Sequence, residues 1–277
     1  MLSIYSNTSS LTAQRNLSQT QKALAANVAR LSSGMRINSA ADDAAGLGIS
    51  EKLKAQIRSM GQAERNANDG ISLVQTAEGA MNETSGILIR MRELAMQAAT
   101  DTVGTTEKGF LQTEFSALRS EIDRIANVTK FNGTSLLSAA GTITFQVGTG
   151  TTSDDKITVS TVDMNVATFG ASATNLSTLD ISTASGASAA LTAIDTAVSD
   201  LSSARSTFGA AENRLQTTVT NLQSARENLS AANSRIRDVD VAEESAAMAR
   251  HNILAQAGVS VLAQANQMPS LALALLK

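Results

Sequence analysis

Large hydrophobic residues recur every seven positions through the C-terminal half of the chain. They are Ile194, Leu201, Phe208, Leu215, Leu222, Leu229 and Ile236, and alanine stands three residues after most of them. A heptad that alternates large and small residues predicts a helical seam. At a rise of 1.5 Å per residue this seam would be about 65 Å long, more than a compact domain requires. The helix that packs against it must therefore have a comparable length.

The N-terminal half contains a stripe of suitable length. Apolar residues follow one helical face from Ile49 to Met91, and the pattern predicts a helix that continues to about residue 99. Ser39 and Asp42 have the spacing of a capping box at its start. An earlier amphipathic helix should end near Gly34, and a shorter one should follow the loop TDTVGTTEKG. Three helical segments can then form a bundle.

The hydrophobic period changes in the middle of the chain. Apolar residues alternate at Ile143, Phe145 and Val147, and again at Ile157 and Val159, which predicts a β-hairpin. The pair Asn132 and Gly133 predicts a tight turn just before it. Residues 163–188 are mostly small and polar, and predict a surface excursion or a small irregular lobe. The fold class is thus mainly α, with long antiparallel helical rods and a small β-hairpin region.

Long stretches at the two ends of the chain lack the charged residue types Asp, Glu, Lys and Arg. Residues 1–14 and 251–276 contain no Asp, Glu, Lys or Arg, although a last helix should start at the Asp240 cap. The amides and hydroxyls in the C-terminal stretch argue against a bilayer span, and the missing charge argues against a helix left in water. Burial of alanine side chains also contributes little free energy to offset the entropy lost when the backbone becomes ordered. We expect the two ends to order by packing on each other and on neighbouring copies.

Composition excludes several classes of function. The net charge of -3 offers no basic stripe for nucleic acid or anionic lipid. Because His251 is the single histidine, the sequence offers no histidine cluster for a metal and no convincing Ser-His-Asp set with a spare general base, and the absence of cysteine excludes a thiol nucleophile. Asp154 and Asp155 fit a hairpin turn better than a cation site. We expect neither an enzyme nor a cofactor, and neither nucleic acid nor membrane as a partner. The N-terminus also lacks a Sec-type signal pattern.

Several long motifs resemble those of bacterial flagellin. They are LSSGMRINSAADDAAGLGISEKLKAQIRSM, ANDGISLVQTAEGAMNE, RMRELAMQAA, RIRDVDVAEESA and VLAQANQMPSLALALL, in that order along the chain. The resemblance covers roughly residues 1–138 and 190–277. It implies terminal helices at 1–40 and 240–277 that form the inner coiled coil of a filament. It further implies a helical rod domain at 41–138 and 190–239, and a β-hairpin with a short variable surface segment at 139–189.

The same resemblance implies partners and a location. The chain would polymerise with itself into a filament for swimming, outside the cell and without a cleaved Sec signal. Its other partners would be the flagellar type III export apparatus, an export chaperone, and the filament cap and hook-junction proteins. The flagellin-sensing toll-like receptor of a host would bind Arg90, Leu94 and Glu114; burial of this patch between subunits is the other interpretation, and both can hold.

Two groups of packing residues complete the predicted sites. Filament-core packing is assigned to Leu17, Leu24, Val28, Leu31, Leu254, Val261 and Met268. The rod-domain seam is assigned to Ile57, Met60, Ile71, Leu201, Leu215, Leu222 and Leu229. A flagellar hook-filament junction protein is the alternative function, and a cytoplasmic helical scaffold is a third. The scaffold would have charged, dispensable ends, unlike those of this chain.

Overall fold

The structure, a computed structural model, describes residues 7–169 and 175–274, with side chains described as far as residue 268. In chain order its elements are α1 (Thr8–Ser33), α2 (Ala44–Ala98), α3 (Thr105–Val128), β1 (Lys130–Phe131), β2 (Thr134–Ser135), β3 (Gly141–Gln146), β4 (Lys156–Thr161), α4 (Ala184–Arg237) and α5 (Val241–Ala274). The prediction of a mainly α-helical chain with a small β-hairpin region is confirmed. Parts of the predicted terminal helices, at 1–6 and 275–277, lie outside the described residues.

The chain divides into two compact units. We call Met1–Ile57 with Glu227–Lys277 the terminal unit, and Arg58–Arg226 the central unit. The terminal unit contains α1 and α5, and the central unit contains α3 and all four strands. The long helices α2 and α4 contribute residues to both units.

Helix α1 begins and ends where local chemistry favours it. The Asn7 side chain caps its start by accepting a hydrogen bond from the Ser10 amide at 3.0 Å. Gly34 follows its last residue with φ of 70°, a left-handed conformation that glycine adopts without steric cost. The predicted end near Gly34 is confirmed.

The start of α2 differs from the capping box predicted at Ser39 and Asp42. The Asp42 carboxylate does accept from the Ser39 amide at 2.9 Å, and this bond lowers the pKa of Asp42. However, the contact closes a turn, and α2 begins only at Ala44. Asp43 is the residue whose carboxylate caps the helix, because it accepts from the Gly46 amide at 2.9 Å. The predicted helix start was therefore wrong by one short turn.

The segment after α1 lies beside the junction between α4 and α5. Met35 and Asp238 form an antiparallel bridge, and the Arg36 amide donates to the Arg237 carbonyl at 2.6 Å. Asp240 then caps α5, accepting from the Ala242 amide at 2.9 Å. The predicted helix start at Asp240 is thus confirmed. These backbone bonds join the segment that follows α1 to the residues between α4 and α5.

The core of the central unit lies between α2, α3 and α4. Its largest fully buried side chains include Met81, Leu88, Phe115, Ile122 and Phe208. Small residues of α4, such as Ala190 and Ala197, are also fully buried. The part of the predicted heptad pattern from Ile194 to Ala211 therefore faces this core.

The predicted hairpin and turn are both present in the central unit. Strands β3 and β4 pair antiparallel, with Phe145 opposite Ile157 and Ile143 opposite Val159. The tight turn between β1 and β2 contains Asn132 and Gly133, both with positive φ. These residue types tolerate that conformation best.

Of the two alternatives predicted for residues 163–188, a surface excursion or a small irregular lobe, the first does not fit the described residues. Six large apolar side chains between 164 and 181 are buried in the core of the central unit: Met164, Val166, Phe169, Leu176, Leu179 and Ile181. The Asp123 carboxylate accepts from the Val166 amide at 2.7 Å and ties this segment to α3. A few large residues among many small ones are enough to anchor it. Residues 170–174 lie outside the described part of the chain.

Candidate assembly surface

Helices α1 and α5 form an antiparallel pair in the terminal unit. At one end the Ser10 hydroxyl donates to the Asn266 side chain at 2.6 Å, and at the other the Asn27 amide donates to Glu244 at 2.6 Å. Between them, the Leu17 side chain lies over Gly258, where an added Cβ would come within 3.2 Å of it. The pairing predicted for the two ends of the chain is therefore present within one molecule.

This helix pair buries very little. Among the described side chains of α1 and α5, the buried ones belong to Asn27 and Ala265 alone. Leu17, Leu24 and Leu31 are only half-buried. Few buried apolar contacts mean low local stability, so the pair has little to hold it in isolation.

Both helices instead expose apolar side chains to solvent. The exposed large residues are Leu11 and Val28 on α1, and Val241, Ile253, Leu254, Val259, Val261 and Met268 on α5. Val261, for example, retains 54% of its accessible surface. Described residues 251–268 contain no Asp, Glu, Lys or Arg. A helix with an exposed, uncharged apolar face is typical of an interaction surface.

The predicted filament-core residues divide into two sets. Leu17, Leu24 and Leu31 are half-buried, and Leu17 lies against Gly258 of α5 in the same chain. Val28, Leu254, Val261 and Met268 are exposed. Their contact with other copies stays a prediction.

A polar cluster crosses the α1–α5 interface. The Asn27 side chain is 5% exposed, donates to Glu244 and lies 2.8 Å from the His251 ring nitrogen Nδ1. Arg30 lies 3.7 Å from both Glu244 and Asp42. Asn27 was not among the residues predicted from the sequence, although it interrupts the apolar stripe between Leu24 and Leu31, and that interruption was the available signal.

The predicted receptor patch lies on α2 and α3 of the central unit. The Arg90 guanidinium donates to Glu114 at 3.0 Å and to Glu93 at 3.0 Å, and all three side chains are largely exposed. Hydrogen bonding to Glu114, followed by that to Glu93, raises the pKa of Arg90. The structure thus brings Arg90 and Glu114 into direct contact.

Leu94 is not part of that exposed patch. Its side chain is 1% exposed and belongs to the core of the central unit. Of the three predicted residues, Arg90 and Glu114 are therefore at the surface and Leu94 is in the core.

The predicted rod-domain seam is distributed over both units. In the central unit Leu201 and Leu215 are buried, and Met60, Ile71 and Leu222 are half-buried. In the terminal unit Ile57 and Leu229 are half-buried.

The described residues contain no cluster of His, Asp or Glu that could hold a metal ion. His251 is engaged with Asn27, and Asp155 accepts hydrogen bonds within its hairpin loop, from Thr152 and Gly150, which lower its pKa. Within the part of the chain that the structure covers, no helix is long and apolar enough to cross a bilayer.

Two family models match the chain over most of its length. The model for the bacterial flagellin N-terminal helical region matches residues 4–142, and that for the C-terminal helical region matches residues 191–276. The chain belongs to the bacterial flagellin family. As a flagellin it is a structural protein and not an enzyme.

Relatives of nearly equal length agree with this assignment. The chain is 46% identical over 263 residues to a flagellin of Halalkalibacterium halodurans, covering 95% of this chain and 93% of that one. It is 41% identical over 305 residues to a flagellin of Bacillus subtilis, covering 98% of both. The crystal structure of Bacillus cereus flagellin is 34% identical and superposes with a TM-score of 0.50, covering 61% of this chain and 94% of that one.

Proposed function

We propose that this flagellin polymerises with copies of itself into the flagellar filament that cells use for swimming, and that α1 and α5 make the contacts of its inner column. The observation that carries the proposal is the set of exposed large apolar side chains on α1 and α5, together with the stretch of α5 at 251–268 that contains no Asp, Glu, Lys or Arg. Family membership supports a filament subunit located outside the cell.

The energetics favour many partners over one. Burying a large aliphatic side chain contributes about 1.5 to 3 kcal/mol, so the exposed residues of α1 and α5 together contribute on the order of 10 kcal/mol. Association of two bodies costs about 4 to 15 kcal/mol. A single contact would therefore be marginal, whereas a subunit surrounded by copies gains from several contacts at once. When one patch of a molecule binds a different patch of its neighbour and the arrangement does not close into a ring, the contact propagates as an open helical filament.

Seeded growth tests the proposal. Purified chain is added to fragments of flagellar filaments, and length is followed by negative-stain electron microscopy. A filament subunit extends the seeds into long tubes. A hook-filament junction protein would bind seed ends and stop growth, and a helical scaffold would leave the seeds unchanged; either result would refute the proposal.

Export and the remaining partners belong to the same proposal. We propose passage through the flagellar type III apparatus with the help of an export chaperone, followed by incorporation beneath the filament cap and beyond the hook-junction proteins. The chain has no cysteine, so no disulfide opposes transit as an unfolded polypeptide. The division into terminal helices, rod domain and variable segment at 139–189 stays a proposal as well.

Recognition of the free monomer by the flagellin-sensing receptor is a further part of the proposal. Exposure of Arg90 and Glu114 in the single chain supports it, and Leu94 would act by supporting the surface. A patch that neighbouring copies cover would be accessible on monomers alone.

We expect Arg90→Ala combined with Glu114→Ala to lower receptor signalling by about 30-fold or more, because truncating a central interface residue costs about 2 kcal/mol or more. The measurement is the dose of monomer that gives half-maximal signalling in receptor-bearing reporter cells. The control is Arg92→Ala, which breaks a similarly exposed ion pair, the 2.7 Å contact with Asp195. Equal potency of the double variant and the control would refute the assignment.

A further inference from the structure

We infer that Asn27, together with Glu244 and His251, sets the register in which α1 and α5 pair. This inference rests on the proposed function, because the register decides which apolar side chains of the two helices are presented together to the next copy.

Asn27 makes two directional contacts that a shifted helix could not keep. Its side-chain nitrogen donates to Glu244 at 2.6 Å, and its oxygen lies 2.8 Å from Nδ1 of His251, one heptad further along α5. Since that oxygen can only accept, Nδ1 of His251 donates. A buried amide thus has both of its polar atoms satisfied by one specific pair of positions on the partner helix.

Apolar packing by itself discriminates weakly between registers. Within the described parts of α1 and α5, Asn27 and Ala265 are the buried side chains, and the leucines of α1 are half-buried at most. Alanine-rich neighbours offer similar surfaces after a shift of one heptad. In helix pairs a polar residue at a seam position specifies register because a mismatch leaves it without partners.

A slip of one heptad moves α5 by about 10.5 Å along α1. In one direction Asn27 would then face His251 and Gly258, and Glu244 would lie out of reach of both Asn27 and Arg30. In the other direction it would face Glu244 and Arg237, which precedes the first residue of α5, and the contact with His251 would be lost. Each slip breaks a bond that the observed register satisfies.

The test uses the absence of native cysteine to report the register directly. Ser10→Cys with Asn266→Cys reports the observed register, because the two native side chains are 2.6 Å apart. Leu17→Cys with Asn266→Cys reports one slip, and Ser10→Cys with Val259→Cys reports the other. A short thiol crosslinker is applied to the free chain and to seeded filaments, and the intrachain product of each pair is quantified.

We expect Asn27→Leu to raise the ratio of slipped to observed crosslinks about tenfold. Exchange of the two groups, Asn27→His with His251→Asn, should return the ratio to within about twofold of the original, since an imidazole at position 27 can donate to Glu244 through one nitrogen and accept from the amide at position 251 through the other. Asn16→Leu makes the same change at an exposed position of α1 and should leave the ratio unchanged. An unchanged ratio in Asn27→Leu would overturn the inference, as would failure of the exchanged variant to restore it.

Failure of this inference can be distinguished from failure of the proposed function. The crosslink ratio in the free chain tests the register whether or not the chain elongates seeds. If Asn27→Leu yields no intrachain product at all, the exchanged variant decides: recovery supports the inference, and no recovery contradicts it.

Discussion

A chain trimmed to residues 41–239 will fail to extend flagellar filament fragments under conditions in which the full chain extends them. The trimming removes α1 and α5, and with them the exposed apolar residues Val28, Ile253, Leu254 and Val261. The central unit, Arg58–Arg226, is retained whole. Since its core lies between its own helices, it should keep its fold, and the lost elongation would be attributable to the ends.

Two chains trimmed at one end only provide the controls. Each leaves α1 or α5 without the helix that it pairs with, so both should also fail to elongate seeds. Circular dichroism should show that the helical signal of the central unit persists in all three variants. Long tubes from the doubly trimmed chain would show that the filament is built from surfaces elsewhere.

Leu215→Ala will lower the free energy of unfolding of the central unit by about 2 to 5 kcal/mol. The side chain is fully buried in a cluster with Ala67, Val147, Ile157 and Val219. It also lies against Gly70, where an added Cβ would come within 3.1 Å of it. Removing a leucine from such a site loses its transfer free energy and leaves a cavity that rigid helices fill poorly.

Leu222→Ala is the matched control for that variant. It makes the same change on the same helix and in the same heptad position, but its side chain is only half-buried. We expect a loss of about 1 kcal/mol. Urea unfolding followed by circular dichroism gives both values, and a larger loss for Leu222→Ala than for Leu215→Ala would contradict the described burial.

The heptad seam was predictable because the same seven-residue spacing places one large side chain after another on the buried side of α4. Each large residue from Ile194 to Leu215 that the spacing selected is buried in the structure. The hairpin followed from strict alternation, and the turn at Asn132 from its chemistry. These features depend on the spacing of residues within one short segment, and a periodic pattern in the sequence shows that spacing.

The buried segment at 163–181 was not predictable in the same way. Its six buried side chains have neither a helical nor a strand period, so only the position of α2, α3 and α4 around them makes them core residues. The burial of Leu94 could not be predicted for the same reason. A resemblance placed it in a surface patch, whereas the packing of α2 buries it.

The polar bonds of the terminal unit depend on pairs far apart in the chain. Asn27 meets Glu244 and His251 across more than half of the sequence, and composition does not indicate which distant partner an asparagine will find. The absence of Asp, Glu, Lys and Arg near both ends, in contrast, is visible in the sequence, and it agrees with the exposed apolar side chains of α5.

Hydrogen exchange of α1 and α5, compared between free chain and filament, tests the central claim most directly. The claim is that a helix pair burying so little becomes rigid only when copies cover it. In the free chain its amides should exchange far faster than those in the core helices of the central unit. In filaments they should slow by about 100-fold or more, which corresponds to about 3 kcal/mol of added local stability. Amides of α1 and α5 that are as slow in the free chain as in the filament would contradict the account.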